Sequence, residues 1–356
     1  MSIREDVFGL EQVYLLQVEG LWSVKSDVWL SPSPYIGSAS QTGYFGGGRR
    51  APGPRSTVDR IDYSNDTATA SPKGLLSLAR GYLVATGNQS FGYFGGGGFP
   101  TAVSTVDRID YYNDTATASP KGPLSLVNNG LAATGNSSFG YFGGGYPARS
   151  TVDRIDYSND TATASLKGPL SDARYYLAAT GNSSFGYFGG GFPSTVSTVD
   201  RIDYSNDTAT ASPKGPLSSA RDGLAAASAR ANGLPVIDTT LPPANSPIQI
   251  LPPTLFGYFG GGAPGPLSTV DRIDYSNDTA TASPKGPLSL ARRYFAATGN
   301  SSFGYFGGAG PSPAVSSIVD RIDYSNDTAT ASPKGPLSLV RDQLAATSAA
   351  ANGLPQ

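Results

Sequence analysis

One motif, written six times, constrains the fold of this chain more than any other feature of its sequence. Each copy opens with Gly-Tyr-Phe followed by glycine and continues with Val-Asp-Arg-Ile-Asp-Tyr. The first aspartates of the second block are Asp59, Asp107, Asp153, Asp200, Asp271 and Asp320, so successive copies lie 48, 46, 47, 71 and 49 residues apart. A period near 48 residues indicates one small structural unit used repeatedly, even in a chain of 356 residues.

The composition favours an all-β protein rich in turns. Glycine and proline are abundant, at 45 and 28 residues, yet the apolar fraction of 38% and the 20 tyrosines are enough to form a core. One unit divides at its glycine, proline and asparagine turn signals into four short extended segments. We place these at residues 82–86, 90–94, 104–111 and 115–119. Four strands in a unit of this length predict a blade of a β-propeller.

The unit resembles a kelch repeat in the order of its parts. Arg80 comes first, followed by the apolar segment 83–86, the glycine-rich segment 92–97, the Val-Asp-Arg-Ile-Asp segment 106–110 and the turn residue Thr115. The likeness covers residues 42–348 and implies a kelch-like β-propeller of six four-stranded blades.

Two features depart from the kelch pattern. Alanine stands where kelch blades carry tryptophan, which predicts a layer of smaller packed residues; these alanines are Ala68, Ala116, Ala162, Ala209, Ala280 and Ala329. Asn128 replaces the arginine that the other copies carry as Arg80, Arg174, Arg221, Arg292 and Arg341. We therefore expect the second unit, which carries Asn128, to be slightly less firmly tied.

The chain ends predict how the ring closes. No Arg-x-x-Leu-Ala-Ala-Thr strand precedes Tyr44, whereas a surplus one, residues 341–347, follows the sixth unit. We expect this strand to complete the first blade and remove two open sheet edges. A proline-rich insertion at 228–255 leaves a second arrangement open, in which four units and two units find partners in another chain.

The first 41 residues differ from the repeats and contain both tryptophans, Trp22 and Trp29. Val7, Leu10 and Tyr14 recur at helical spacing, which predicts a short N-terminal helix followed by an extended arm. The arm is interpreted either as a cap over one blade or as a docking segment for a larger assembly. Residues 349–356 form a C-terminal tail.

Residue types absent from the chain exclude several chemistries. There is no cysteine and no histidine, so disulfides, imidazole bases and nearly all zinc or copper sites are excluded, including the copper site of the galactose oxidases that share kelch blades. The net charge of −2 and the absence of a long apolar run argue against nucleic acid and membrane insertion. We expect no cofactor, no metal and no enzymatic activity, although paired acids in each unit leave carboxylate-based glycan hydrolysis open.

The acidic turns admit two interpretations. Asp59, Asp62, Asn65 and Asp66, with their equivalents, carry oxygen ligands suited to calcium. The spacing lacks the glycine and closing glutamate of an EF-hand loop, and alternation along the strand sends Asp59 and Asp62 to opposite faces. Turn formation and an Asp62 to Arg60 pairing explain these residues, and we prefer this structural interpretation. Asn65-Asp66-Thr67 also fits a glycosylation signal, but turn chemistry accounts for it.

Positions that vary between copies are candidate partner contacts, because the common blade does not require them. They lie after the glycines and after the arginine, and they carry exposed-type aromatic and arginine side chains suited to glycan or protein recognition or to contacts between subunits. The candidates are Arg49, Arg50, Phe99, Tyr146, Phe192, Tyr175, Tyr176 and Tyr294.

The amino-acid sequence of the repeats, with Gly-Tyr-Phe-Gly-Gly and Asp-Arg-Ile-Asp-Tyr-Ser-Asn-Asp-Thr, together with the N-terminal arm, resembles the kelch-type repeat proteins of tailed phages that infect marine bacteria, especially cyanobacteria. That resemblance implies a virion structural protein of the tail or its fibres, made in the host cytoplasm and present in several copies per particle. It also implies contact with other virion proteins through the arm and with a host-surface glycan or protein. A cellular or extracellular interaction scaffold is the alternative.

Overall fold

A computed structural model describes residues 41–98, 100–228, 256–309 and 315–349, all within the second of two compact units, 1–38 and 39–356. These residues form six four-stranded antiparallel sheets, the blades of one β-propeller. The all-β, six-bladed architecture predicted from the repeat is confirmed. The predicted helix and arm, with Val7, Leu10, Tyr14, Trp22 and Trp29, lie outside the described residues.

Each blade has the same four strands, from the innermost to the outermost. Blade 1 consists of Ala345–Ser348, Thr42–Gly46, Val58–Asp62 and Ser71–Pro72. Blade 2 consists of Val84–Gly87, Phe91–Gly95, Val106–Asp110 and Ser119–Pro120, and blade 3 of Ala132–Gly135, Phe139–Gly143, Val152–Asp156 and Ser165–Lys167. Blade 4 consists of Ala178–Gly181, Phe185–Gly189, Val199–Asp203 and Ser212–Pro213, and blade 5 of Ala225–Ser228, Phe256–Gly260, Val270–Asp274 and Ser283–Lys285. Blade 6 consists of Ala296–Gly299, Phe303–Gly307, Val319–Asp323 and Ser332–Lys334.

Little else in the described residues is regular. Four single-turn 3₁₀ helices, Tyr63–Asn65, Tyr157–Asn159, Tyr204–Asn206 and Tyr324–Asn326, follow third strands, and a small hairpin pairs Arg49–Arg50 with Gly53–Pro54. The fourth strand of blade 2 was predicted at 115–119 but begins only at Ser119. The reason is a tight turn, in which the Ala116 amide donates to the Asn113 carbonyl and takes residues 113–116 out of the extended conformation.

Ring closure follows the prediction. The strand Ala345–Ser348 pairs with Thr42–Gly46, so that Gly43 lies opposite Ser348 and Gly46 opposite Ala345. The innermost strands of neighbouring blades contact one another around the ring. The chain therefore closes on itself as a single six-bladed ring within one molecule.

The core lies between the blades. The Gly-Tyr-Phe tyrosine of one blade stacks on the Ile-Asp-Tyr tyrosine of the next, as Tyr93 does on Tyr157 with ring centroids 4.7 Å apart. Gly46 has no side chain because Phe94 of the next blade fills that space; a Cβ there would meet the ring at 2.5 Å. The expected packed layer at Ala68 and its equivalents is wrong. Ala68 is exposed, and the buried alanine is Ala70, two residues further along.

The two ends of the propeller differ, and we name them by their loops. The turn face carries the Asn-Asp turns and the loops from first to second strands. The glycine face carries the glycine turns that follow the second strands and the connections into the next first strand. Residues 41, 228, 256 and 349 lie at strand ends on the turn face, so the segments 1–40, 229–255 and 350–356 all join the propeller there.

Candidate functional site

In five of the six blades, a buried aspartate on the third strand forms an ion pair that clamps the connection leading in from the preceding blade. In blade 5, Asp271 accepts hydrogen bonds from the Ser218 amide at 2.9 Å and hydroxyl at 2.6 Å, and from Nη2 of Arg221 at 2.6 Å. Arg221 is fully buried and also donates to the carbonyls of Gly261 and Thr269. The same ion pair, with N to O distances of 2.5 to 3.1 Å, joins Arg341 to Asp59, Arg80 to Asp107, Arg174 to Asp200 and Arg292 to Asp320.

Blade 3 lacks this clamp, because Asn128 stands at the arginine position of the connection that leads into it, whereas the sequence placed the weaker tie in the second unit. Asn128 donates from Nδ2 to the Gly144 carbonyl at 2.8 Å. Among the described residues, Asp153 accepts from the Ser125 amide at 3.0 Å and has no arginine or lysine partner. Three buried oxygens, Ser125 Oγ, Asp153 Oδ1 and Asn128 Oδ1, have no hydrogen-bond partner among the described residues. Burial raises the pKa of the Asp153 carboxyl above its usual value.

The turn aspartates latch neighbouring blades together. Asp114 of blade 2 accepts from the Tyr44 hydroxyl at 3.0 Å and from Arg60 Nη1 at 2.7 Å, both in blade 1, and Lys73 Nζ lies 3.5 Å away. Equivalent latches close on Asp160, Asp207, Asp278, Asp327 and Asp66. The predicted Asp62 to Arg60 pairing is therefore wrong. Arg60 reaches into the next blade, and Asp62 accepts instead from the amide and hydroxyl of Ser64.

These contacts bear on the calcium interpretation. The buried aspartates bond to serine and, outside blade 3, to arginine, and the turn aspartates bond to tyrosine, arginine and lysine. In the described part of the chain, no three acidic, histidine or cysteine side chains come together in a metal-binding group.

The central channel is narrow and changes character along its length. At the turn face it opens into a cavity of about 90 Å³ lined by alanine, threonine, glycine and serine residues, among them Thr86, Thr134 and Thr180. The Thr86 hydroxyl lies 3.2 Å from the Tyr157 hydroxyl of the next blade, and four other threonines repeat this contact. At the glycine face a cavity of about 80 Å³ is lined by leucines and by Tyr82, Tyr176 and Tyr294.

A closed ring of backbone hydrogen bonds surrounds the axis at the glycine face. The Tyr176 amide donates to the Gly130 carbonyl at 2.8 Å, the Gly223 amide to the Tyr176 carbonyl at 2.7 Å, and so on through all six blades. The six ring residues, Tyr82, Gly130, Tyr176, Gly223, Tyr294 and Gln343, all have φ between 54° and 65°. Residues with a side chain rarely adopt this left-handed backbone conformation. The tyrosines and the glutamine of the ring therefore keep it because the surrounding hydrogen bonds require it.

The aromatic candidates on the glycine face are brought together into one group. The Tyr175 ring lies 5.2 Å from each of Tyr146 and Phe192, edge to face, and 4.8 Å from Tyr176. Tyr176 in turn lies 5.2 Å from Tyr294. Tyr146 is 53% exposed and Phe192 38% exposed, so this aromatic group faces solvent at its outer edge.

The arginine candidates are elsewhere on that face. Arg49 and Arg50 form one strand of the blade 1 hairpin, where Arg49 Nη1 lies 3.4 Å from Gln343 Oε1 and Arg50 is exposed. Phe99 lies outside the described residues. The fold thus brings the side chains of five of the eight candidates into contact with one another. The two hairpin arginines do not belong to this aromatic group.

Sequence reasoning missed a polar site beside the aromatic group. Asp222 occupies the repeat position of Tyr175, is 6% exposed and accepts from the Thr195 hydroxyl at 3.2 Å, in the loop that carries Phe192. Burial raises the pKa of Asp222, with Arg293 acting in the opposite direction. An alignment of the six copies would have shown that Asp222 occupies the position of Tyr175, directly after the arginine.

No helix in the described residues has the length and apolar character needed to cross a membrane. In comparisons with known proteins, no family model and no curated protein matches this chain.

Proposed function

We propose that this protein is a non-enzymatic structural component of a phage virion, in a tail or tail fibre, and that the glycine face of its propeller binds a host-surface glycan. The observation that carries the binding role is the aromatic group. Residues that differ between otherwise near-identical repeats, Tyr146, Tyr175 and Phe192, lie together and are partly open to solvent.

The distribution of charged residues supports a structural role. Of the three aspartates common to the repeats, two are engaged with arginine or lysine in the clamps and latches, where they hold blades together, and the third, as Asp62, caps the turn through Ser64. An active site normally occurs once, whereas these acids recur in every blade and perform the same bonding task.

The polarity and size of the aromatic group favour a glycan over a protein. Tyr146 and Phe192 together offer roughly 200 Å² of accessible aromatic surface, well short of the ~800 Å² per partner of a stable protein interface. A sugar ring needs only one or two aromatic faces for its C–H groups, together with polar groups for its hydroxyls. The half-buried Arg293, whose guanidinium lies 5.2 Å from the centre of the Tyr294 ring, is a polar group beside the aromatic group, and the buried Asp222 carries the opposite charge next to it.

The strand ends to which three other segments of the chain connect are compatible with this arrangement. The segments 1–40, 229–255 and 350–356 join the propeller at the turn face, the end opposite the aromatic group. Attachment to other virion proteins through the arm, with several copies per particle, would leave the glycine face for the ligand.

The virion assignment is tested by immunogold electron microscopy of intact particles from lysates of the source, using antibody against the purified protein. We expect label on tails or fibres, and we expect the same antibody to block adsorption to host cells. Label confined to cells or debris would instead support the cellular or extracellular scaffold.

A further inference from the structure

Blade 3 differs from the other five blades at one buried point. In blade 4, Arg174 donates to the carbonyls of Gly190 at 2.8 Å and Thr198 at 3.0 Å and to Asp200 at 2.5 Å. The equivalent acceptors of blade 3 are the carbonyls of Gly144 and Thr151 and the carboxylate of Asp153.

These acceptors stand in the same place in both blades. Asp153 pairs with Phe142 across the second and third strands, as Asp200 pairs with Phe188. The Gly144 amide donates to the Thr151 carbonyl at 3.0 Å, as the Gly190 amide does to that of Thr198. The backbone that receives a guanidinium in blade 4 is therefore retained in blade 3.

Asn128 does not replace the arginine chemically. Its side chain is shorter by three non-hydrogen atoms, it carries no charge, and its amide takes only the Gly144 carbonyl. Ser125 is affected too, because the serine hydroxyl to aspartate bond of 2.6 Å in blade 4 has no counterpart in blade 3. Asp153, which is only 7% exposed, is left without a cationic partner among the described residues.

A buried carboxylate without a counter-charge is costly, and the usual remedies are a proton, an ion pair or a bound cation. We propose that blade 3 binds a monovalent alkali cation, Na⁺ or K⁺, in the place that a guanidinium takes in the other five blades. Its ligands are Asp153 Oδ1, the Thr151 carbonyl and Ser125 Oγ, with Asn128 Oδ1 available by rotation of the amide.

The ligand set selects the charge of the ion. All of these ligands are oxygens, the donors preferred by hard cations, and only Asp153 is charged. One carboxylate balances one positive charge, as it does for the guanidinium in the other blades. Calcium sites normally draw on more than one carboxylate.

The test compares the melting temperature of the full-length protein in sodium, potassium and choline chloride at equal ionic strength, because choline is too large for the site. For the wild-type protein we expect a higher melting temperature in an alkali chloride, growing with the logarithm of its concentration above the Kd. Asn128→Arg places a guanidinium in the site and should abolish the difference between salts. Arg221→Asn, which reproduces the blade 3 arrangement in blade 5, should enlarge it.

Two results would overturn the proposal. One is an equal response of the wild-type and Asn128→Arg proteins to the three salts. The other is a crystal grown with thallous ion, a potassium substitute, that shows no anomalous density beside Asp153. Anomalous density there in the wild type and its loss in Asn128→Arg would support the site even if Arg221→Asn failed to fold.

Discussion

Arg341 and Asp59 are separated by 282 positions in the chain and form a fully buried ion pair of 2.9 Å. Arg341 also donates to the carbonyls of Phe45 and Thr57, and Ser338 bonds to the same aspartate. The last described segment of the chain is thus bound into the first blade by charge, by hydrogen bonds and by the strand Ala345–Ser348. Closure of the ring depends on this one junction.

Removal of residues 341–356 should therefore open the ring. It deletes an innermost strand, leaves Asp59 buried without its arginine, exposes the edge of Thr42–Gly46 in blade 1 and removes the contact of the deleted strand with the innermost strand of blade 6. We expect a large fall in melting temperature and self-association through the open edges, measured by calorimetry and analytical ultracentrifugation. Removal of residues 350–356 alone is the matched control, since it keeps every described contact; an unchanged melting temperature in the longer deletion would contradict the closure.

Replacing the clamp arginine by asparagine in blade 5 should lower the free energy of unfolding, and the reverse replacement in blade 3 should raise it. Arg221→Asn leaves Asp271 buried and unpaired and should cost about 3–5 kcal/mol. Asn128→Arg gives donors to buried oxygens of blade 3 and should add about 1–3 kcal/mol. Urea unfolding in choline chloride measures both without an alkali cation, and a destabilised Asn128→Arg protein would show that blade 3 cannot receive the longer side chain.

The effect of pH on blade 3 follows from Asp153. Burial raises the pKa of Asp153 in the folded protein above its ordinary value of 3.8. Because the folded protein holds the proton of Asp153 more tightly than the unfolded chain does, the contribution of Asp153 to the free energy of unfolding is most favourable below pH 3.8. That contribution is lost as the pH rises through the raised pKa. Asp153→Asn cannot ionise, so in choline chloride its stability relative to wild type should rise from acid to neutral pH. Parallel stability curves for the two proteins would contradict this.

The glycan proposal is tested on the aromatic group directly. Saturation-transfer NMR with methyl glycosides of glucose, galactose, mannose and N-acetylglucosamine, and with their disaccharides, should show binding to the wild-type protein. Tyr146→Ala and Phe192→Ala should each weaken it by at least about tenfold. Both side chains are partly exposed, so the melting temperature should change little.

Tyr112→Ser provides the control for this experiment. Tyr112 is 84% exposed on the turn face, where the other five blades have serine. Binding that falls equally in Tyr112→Ser, or no binding of any sugar by the folded wild-type protein, would reject the glycan role. Neither outcome bears on the virion assignment, which depends on the microscopy.

The sequence alone predicted six blades of four strands and a surplus strand that could close the ring, but it left open whether closure occurs within one chain, which the pairing of Ala345–Ser348 with Thr42–Gly46 decided. The period of about 48 residues, the turn residues and the surplus strand at 341–347 are local signals, and local signals specify strands and turns. The sequence also showed that Asn128 is the exception among six equivalent positions, because the other five all carry arginine.

Only the tertiary structure decided which charged groups meet. Arg60 is two residues from Asp62 and 54 residues from Asp114, and it bonds to Asp114. The reason is that blade 2 packs on blade 1 so that the turn carrying Asp114 lies against the third strand of blade 1. The same packing brings Tyr146, Tyr175 and Phe192 together from separate loops and buries Asp222 beside them. These are contacts between blades, and near-identical repeats carry no sequence signal for the geometry with which one blade packs on the next.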